Sequence, residues 1–158
     1  MKLYFLRHAE ALAGEDDAAR PLSPHGREQG AVMAKFLSDA GVRFSAAYTS
    51  PLVRAHQTGE VVLRTMGLAG DVKLQTAKQL LNETTVTQWS HWLESLPESK
   101  HVLLVGHAPS LSDRVRALLR VVDANALELP KGALACIKTD ERTAGTLKYL
   151  ITPRSLGL

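Results

Sequence analysis

Two short apolar runs, each emptying into a histidine, constrain this chain more than any other feature. Lys2–Leu6 passes directly into Arg7-His8, and His101–Val105 passes into Gly106-His107. Runs this short and this uninterrupted, with polar residues on either side, are what strands buried on both faces look like. Phe44–Tyr48 is a weaker third strand and Val72–Gln75 a fourth, while Leu134–Lys138 and Thr146–Ile151 flank the turn-like stretch Thr139–Gly145 as a hairpin. Helical patterns separate the strands. Ser23-Pro24 provides an N-cap followed by proline at the first helical position, and Met33, Phe36, Leu37 and Ala40 then share one face up to Gly41. Ser50-Pro51 repeats that start signal ahead of a stripe of Leu52, Ala55, Gly59, Val62, Leu63 and Met66 that stops at Gly67. A further helix begins near Pro109 and buries Leu111, Val115 and Leu118, and Thr85–Leu96, with Trp89 and Trp92, is a fourth. Strands alternating with helices predict an α/β fold: a three-layer α/β/α sandwich around a largely parallel sheet, with an antiparallel hairpin at the C-terminal end.

The 158 residues suit one domain, expected over residues 1–158, and no repeat or Pro/Gly/Ser-rich linker divides them. A composition of 45% hydrophobic and 22% charged residues excludes a disordered chain. The apolar run Val102–Val105 falls far short of the roughly 18 residues a membrane helix needs, and Leu3–Leu6 meets Arg7 too soon for a signal peptide. The net charge of +3 is spread along the chain without a basic run or interleaved aromatics, which argues against nucleic acid. A lone cysteine, Cys136, forms no internal disulfide and fits a core position; with it goes the expectation of a reducing, cytoplasmic setting and a monomer.

Ligands of open α/β sheets bind beyond the carboxyl ends of the strands, and the chemistry-bearing residues of this chain collect there. Arg7 and His8 follow the first strand, Arg54 sits in the first turn of the helix after Thr49-Ser50-Pro51, and His107 follows the strand ending at Val105. Two arginines and two histidines beside two helix N-termini suit a tetrahedral dianion such as a phosphoryl group. Burying those arginines without an anion would be costly, which is the objection to a purely structural role. A metal site is disfavoured: the chain has no His-Glu-x-x-His, no cysteine pair, and arginines that would repel a cation. His25, His56, His91 and His101 read as surface or capping residues, and Glu15-Asp16-Asp17 as a solvated loop.

The same residues carry a resemblance. Leu6-Arg7-His8-Ala9-Glu10-Ala11 is similar to the Arg-His-Gly signature of the histidine phosphatase (phosphoglycerate mutase-like) superfamily, with Ala9 in place of the glycine. Arg20-Pro21-Leu22-Ser23-Pro24-His25-Gly26, Ser50-Pro51-Leu52-Val53-Arg54-Ala55-His56-Gln57-Thr58, Val105-Gly106-His107-Ala108-Pro109 and Leu129–Ala135 resemble, in order, further blocks of its SixA-type phosphohistidine phosphatases. The resemblance implies that His8 is a nucleophile, transiently phosphorylated, and that Arg7, Arg54 and His107 bind the phosphoryl oxygens, with Arg20 reaching them from its loop. It implies no metal or cofactor, since the arginines supply the positive charge, and a partner protein carrying phosphohistidine as substrate. The general acid that many superfamily members place on a loop has two candidates, Glu83 and Glu10. Two alternatives stay open: a phosphomonoesterase for a small metabolite, which would need such an acid, and a non-catalytic phosphate-binding module.

Overall fold

A computed structural model describes residues 1–158. Six strands form one mixed sheet: β1 (Lys2–Arg7), β2 (Ala46–Thr49), β3 (Leu74–Thr76), β4 (His101–Gly106), β5 (Leu134–Lys138) and β6 (Thr146–Ile151). Their spatial order is β3-β2-β4-β1-β5-β6. The pairs β1/β4, β2/β4 and β2/β3 are parallel, whereas β5 lies antiparallel to β1 and β6 antiparallel to β5. The helices are α1 (Pro24–Asp39), α2 (Val53–Thr65), α3 (Val86–Ser95) and α4 (Ser110–Leu119).

Alternation along the central strands divides the core in two. Leu3 and Phe5 of β1 join Val102 and Leu104 of β4 on one face, under Trp89 and Leu93 of α3 and Leu111 and Val115 of α4. Tyr4 and Leu6 join Leu103 and Val105 on the other, under Met33 and Leu37 of α1 and Val62 and Leu63 of α2. The result is the α/β/α sandwich the sequence predicts, and both tryptophans pack: Trp89 lies 6.1 Å from Phe5 and Trp92 5.4 Å from Tyr48, centroid to centroid. Cys136 is a buried core residue of β5.

Three local expectations need correction. Phe44 is buried but precedes β2, which begins at Ala46; it packs edge-on against Tyr4 with centroids 5.1 Å apart. Apolarity marked its burial, not membership of the ladder. Likewise β3 begins at Leu74, because the Val72 N–H turns back to the Leu68 carbonyl. Ser23 does cap α1, accepting from Gly26 N at 3.0 Å, but Ser50 does not cap α2. The cap position there is Leu52, with no side-chain bond, because the Ser50 hydroxyl is directed at His107.

Candidate active site

The carboxyl ends of β1 and β4 are adjacent in the sheet, so the residues that follow them are held side by side. His8 N–H donates to the Gly106 carbonyl at 3.0 Å, and Gly132 N–H reaches the carbonyls of Arg7 and His8 at 3.2 and 3.1 Å from the entrance to β5. The His8 and His107 rings lie 5.1 Å apart, centroid to centroid, and both residues are buried. Arg54, also buried, enters from the first turn of α2. The four residues singled out at the strand ends thus stand at one edge of the sheet.

Each is oriented by a specific contact. Nδ1 of His8 lies 2.7 Å from the carbonyl oxygen of Ala9. A carbonyl only accepts, so Nδ1 carries the hydrogen and Nε2 is left with a free lone pair. The peptide making that contact is itself fixed: Ala9 N–H donates to Thr58 Oγ1 at 3.0 Å, and the Thr58 hydroxyl donates to the Arg54 carbonyl at 2.7 Å. Nucleophile candidate and arginine are thereby tied to the same turn of α2. The next residue abuts α1, where a Cβ on Gly26 would fall 2.0 Å from the Glu10 carbonyl oxygen, so only glycine permits the approach. His107 has Nε2 2.6 Å from Ser50 Oγ. Arg7 donates through Nη1 to the Leu129 carbonyl at 2.9 Å.

Two buried polar atoms here lack any protein partner, Nε of Arg7 and Nδ1 of His107. Unsatisfied groups are costly in a buried setting and call for a partner that the protein itself does not supply. The electrostatics agree. Burial, with the charges of Arg54, Arg7 and Lys131 adding to it, lowers His8 to about 4, the bond to Ala9 opposing. Burial likewise takes His107 down to about 3, with His8 and Arg54 contributing. Both imidazoles are neutral at pH 7, as a nitrogen nucleophile requires.

The remaining candidates fare differently. Arg20 donates from Nε to the Leu12 carbonyl at 2.8 Å and from Nη1 to Asp17 Oδ1 at 3.0 Å, so it lies at the rim and joins the site through Asp17. Glu10 Oε1 accepts from the Ser23 hydroxyl at 2.7 Å, which ties its carboxylate to the α1 cap. Glu83 is exposed and makes no hydrogen bond or ion pair; its neighbour Asn82 instead braces the His107 loop, donating to the Ala108 carbonyl at 2.9 Å and accepting from Ser110 N at 3.2 Å. His56 stands near Glu60 at 3.6 Å, away from the site, and His101 meets the Tyr4 hydroxyl at 2.8 Å.

The acidic stretch Glu15-Asp16-Asp17 is solvent-exposed, as expected, but one of its members also meets the site. Asp17, placed with Glu15 and Asp16 in a solvated loop, begins a 3-10 turn (Asp17–Ala19) and grips Arg54: Nη1 donates to its carbonyl at 2.8 Å and Nη2 to Oδ2 at 3.2 Å. Nothing local in an acidic run foretells a contact made 37 residues away. Ser50 and Thr58 were also missed as site residues, although Thr58 closes the Gln-Thr pair of the α2 block.

Residues 3–101 match the model of the histidine phosphatase superfamily, branch 1. The chain belongs to that family, and its enzyme class is phosphatase. It is 31% identical, over 88% of its length and 86% of the relative's, to an uncharacterized protein of Picosynechococcus sp.. It is 28% identical to the phosphohistidine phosphatase SixA of Escherichia coli, covering 99% of this chain and 96% of that one. Among solved structures, the protein histidine phosphatase SixA complexed with tungstate superposes with a TM-score of 0.89 at 26% identity, covering 99% of both chains.

Proposed function

We propose that this phosphatase removes the phosphoryl group from phosphohistidine in a partner protein, through a phosphohistidine intermediate on His8. The observation that carries the chemistry is the 2.7 Å contact between His8 Nδ1 and Ala9 O, which sets the tautomer and frees Nε2 for in-line attack. As the Nε2–P bond forms, the P–N bond of the substrate breaks and its imidazole departs as the neutral ring, its other nitrogen having taken a proton from solvent. Water then attacks phosphorus, releasing inorganic phosphate and restoring His8. Arg7, Arg54 and His107 hold the non-bridging oxygens, and Arg20 supports them from the rim; removal of one such donor costs on the order of 10²–10³-fold in rate. Ser50, which also accepts from Leu52 N at 3.3 Å, gives its hydrogen to His107 Nε2 and leaves Nδ1–H for the phosphoryl oxygen.

Two observations favour a protein-borne phosphohistidine over a small phosphomonoester. An alkoxide needs a proton to leave, and of the two candidate acids Glu83 is exposed without a hydrogen bond or ion pair to hold it, while Glu10 is engaged by Ser23. The connections after β2 and β4 are also short, Ser50–Leu52 and His107–Pro109, with no inserted element to close over a metabolite. The similarity to SixA along nearly the whole chain supports the same reading.

The experiment is a phosphate-release panel in EDTA, with a phosphohistidine protein, phosphoserine and phosphotyrosine peptides, and sugar and nucleotide monophosphates. Release from phosphohistidine alone, abolished in His8→Ala, is the expected result. Faster release from a monoester would keep the mechanism and reject the substrate. Activity surviving in His8→Ala would reject the mechanism.

A further inference from the structure

Asp17 is the residue of this pocket whose charge opposes all the others. Its Oδ1 accepts from Arg20 Nη1 at 3.0 Å and its Oδ2 from Arg54 Nη2 at 3.2 Å, so the carboxylate bridges two arginines through its two oxygens. Two non-bridging oxygens of a phosphoryl group would use the same kind of charge-assisted bonds to the same donors. An N–H directed at Asp17 is not directed at phosphate. The carboxylate also stands on the outer side of Arg54: the Asp17 side chain is 66% exposed and the Arg54 side chain 10%.

We propose that Asp17 is an intramolecular competitor for the phosphoryl site, filling donors of Arg54 and Arg20 in the empty enzyme and yielding them when a phosphoryl group enters. The inference rests on the phosphatase reading of the pocket given above. The alternative, a splint that holds Arg54 for phosphate, would need a rigid mount. The 3-10 turn Asp17–Ala19 contains no buried residue; it is closed by local bonds, Asp16 Oδ1 accepting from Ala18 N and the Asp16 and Asp17 carbonyls from Ala19 N and Arg20 N, and is tied to α2 through the Asp17 carbonyl, which accepts from Arg54 Nη1 at 2.8 Å. Such a segment can swing aside without breaking core packing.

The competition sets specificity. A free anion, including the product phosphate, must displace Asp17 with only its own contacts. A phosphohistidine on a protein brings additional surface contacts to offset that displacement. After hydrolysis of phospho-His8, the returning carboxylate weakens the hold on phosphate and speeds its release. Asp17 therefore tunes retention of phosphate and touches no reacting atom.

Calorimetric titration with inorganic phosphate tests this on wild type, Asp17→Asn, Asp17→Ala, Glu15→Gln and Arg54→Ala. Removing a unit charge about 4 Å from a bound anion at an exposed site is expected to tighten binding about tenfold in both Asp17 variants. The inhibition constant of phosphate in the phosphohistidine assay should fall in parallel. Glu15→Gln removes the same charge from the same loop without touching an arginine, and should bind as wild type does. Binding in Asp17→Asn that equals or falls below wild type would overturn the competitor and indicate a splint. Phosphate binding undiminished in Arg54→Ala, or undetectable in every variant, would overturn the pocket itself, and the competitor with it.

Discussion

The hydroxyl oxygen of Ser50 lies 2.6 Å from Nε2 of His107, joining the end of β2 to the end of β4 at the point where the two buried histidines meet. Ser50→Ala removes that partner and leaves the imidazole free to place its hydrogen on either nitrogen. The expected outcome is a fall in kcat/KM of about 10- to 100-fold on a phosphohistidine substrate, less than loss of the donor itself. A thermal melt checks that the variant folds. Full activity in a folded Ser50→Ala protein would show that the serine does not set the tautomer.

Thr58 joins Ala9 to Arg54 through one hydroxyl, as acceptor on one side and donor on the other. Thr58→Val keeps the shape and removes both bonds, leaving a buried N–H without a partner. The predicted loss of stability is about 1–3 kcal/mol, read by urea denaturation. Because the Ala9 peptide orients His8, kcat should fall with little change in KM. Thr58→Ser should recover both.

Gly26 is the point where α1 touches the strap that leaves β1. A methyl group there would sit 2.0 Å from the Glu10 carbonyl, so Gly26→Ala must push the helix and the strap apart. A cost of about 2–3 kcal/mol is expected from such overpacking, together with loss of activity, since Ala9 and His8 belong to the same strap. Wild-type melting behaviour in Gly26→Ala would contradict the geometry.

Protonation of the two histidines links activity and stability to pH. His8 is lowered to about 4 and His107 to about 3, both mainly by burial, against about 6.5 in the unfolded chain. Above pH 6.5 neither state binds these protons and the groups leave stability unchanged. As pH falls below 6.5 the unfolded chain takes up protons that the folded chain refuses, so stability drops until the folded pKa is reached. For His8 the loss down to about pH 4 amounts to about 3 kcal/mol. The acidic limb of kcat/KM should accordingly lie near pH 4, well below that of a free imidazole. Histidine C–H signals in NMR check it: the His8 and His107 resonances should hold their neutral positions at pH 5.5, and a midpoint near 6.5 for either would contradict the burial argument.

Much of this site was legible in the sequence because strand ends announce themselves. A four-residue apolar run followed at once by Arg-His or Gly-His fixes where the side chains must emerge, and parallel pairing of β1 with β4 brings them together. Arg54 followed from the same logic one helix turn into α2. The contacts that orient these residues were hidden for one physical reason: they cross the fold. Ser50 looked like a helix cap until β4 supplied His107 as a partner 57 residues away. Asp17 matched its neighbours Glu15 and Asp16 in composition and differs from them only in facing Arg54. Arg20, expected to reach the phosphate from its loop, has its Nη1 engaged by Asp17, a partner that no local pattern shows. Phe44 shows the same limit within the core, since hydrophobicity predicted its burial but not that pairing begins two residues later.

The central claim is that His8 Nε2 carries the phosphoryl group between substrate and water. The direct measurement is a rapid-quench reaction with a 32P-phosphohistidine protein, stopped in alkaline detergent and mapped by peptide digestion. The account predicts a base-stable, acid-labile label on the peptide containing His8 in wild type, formed before free phosphate is released and absent in His8→Ala. A label that maps to another residue, or phosphate release at the wild-type rate by His8→Ala, would contradict it.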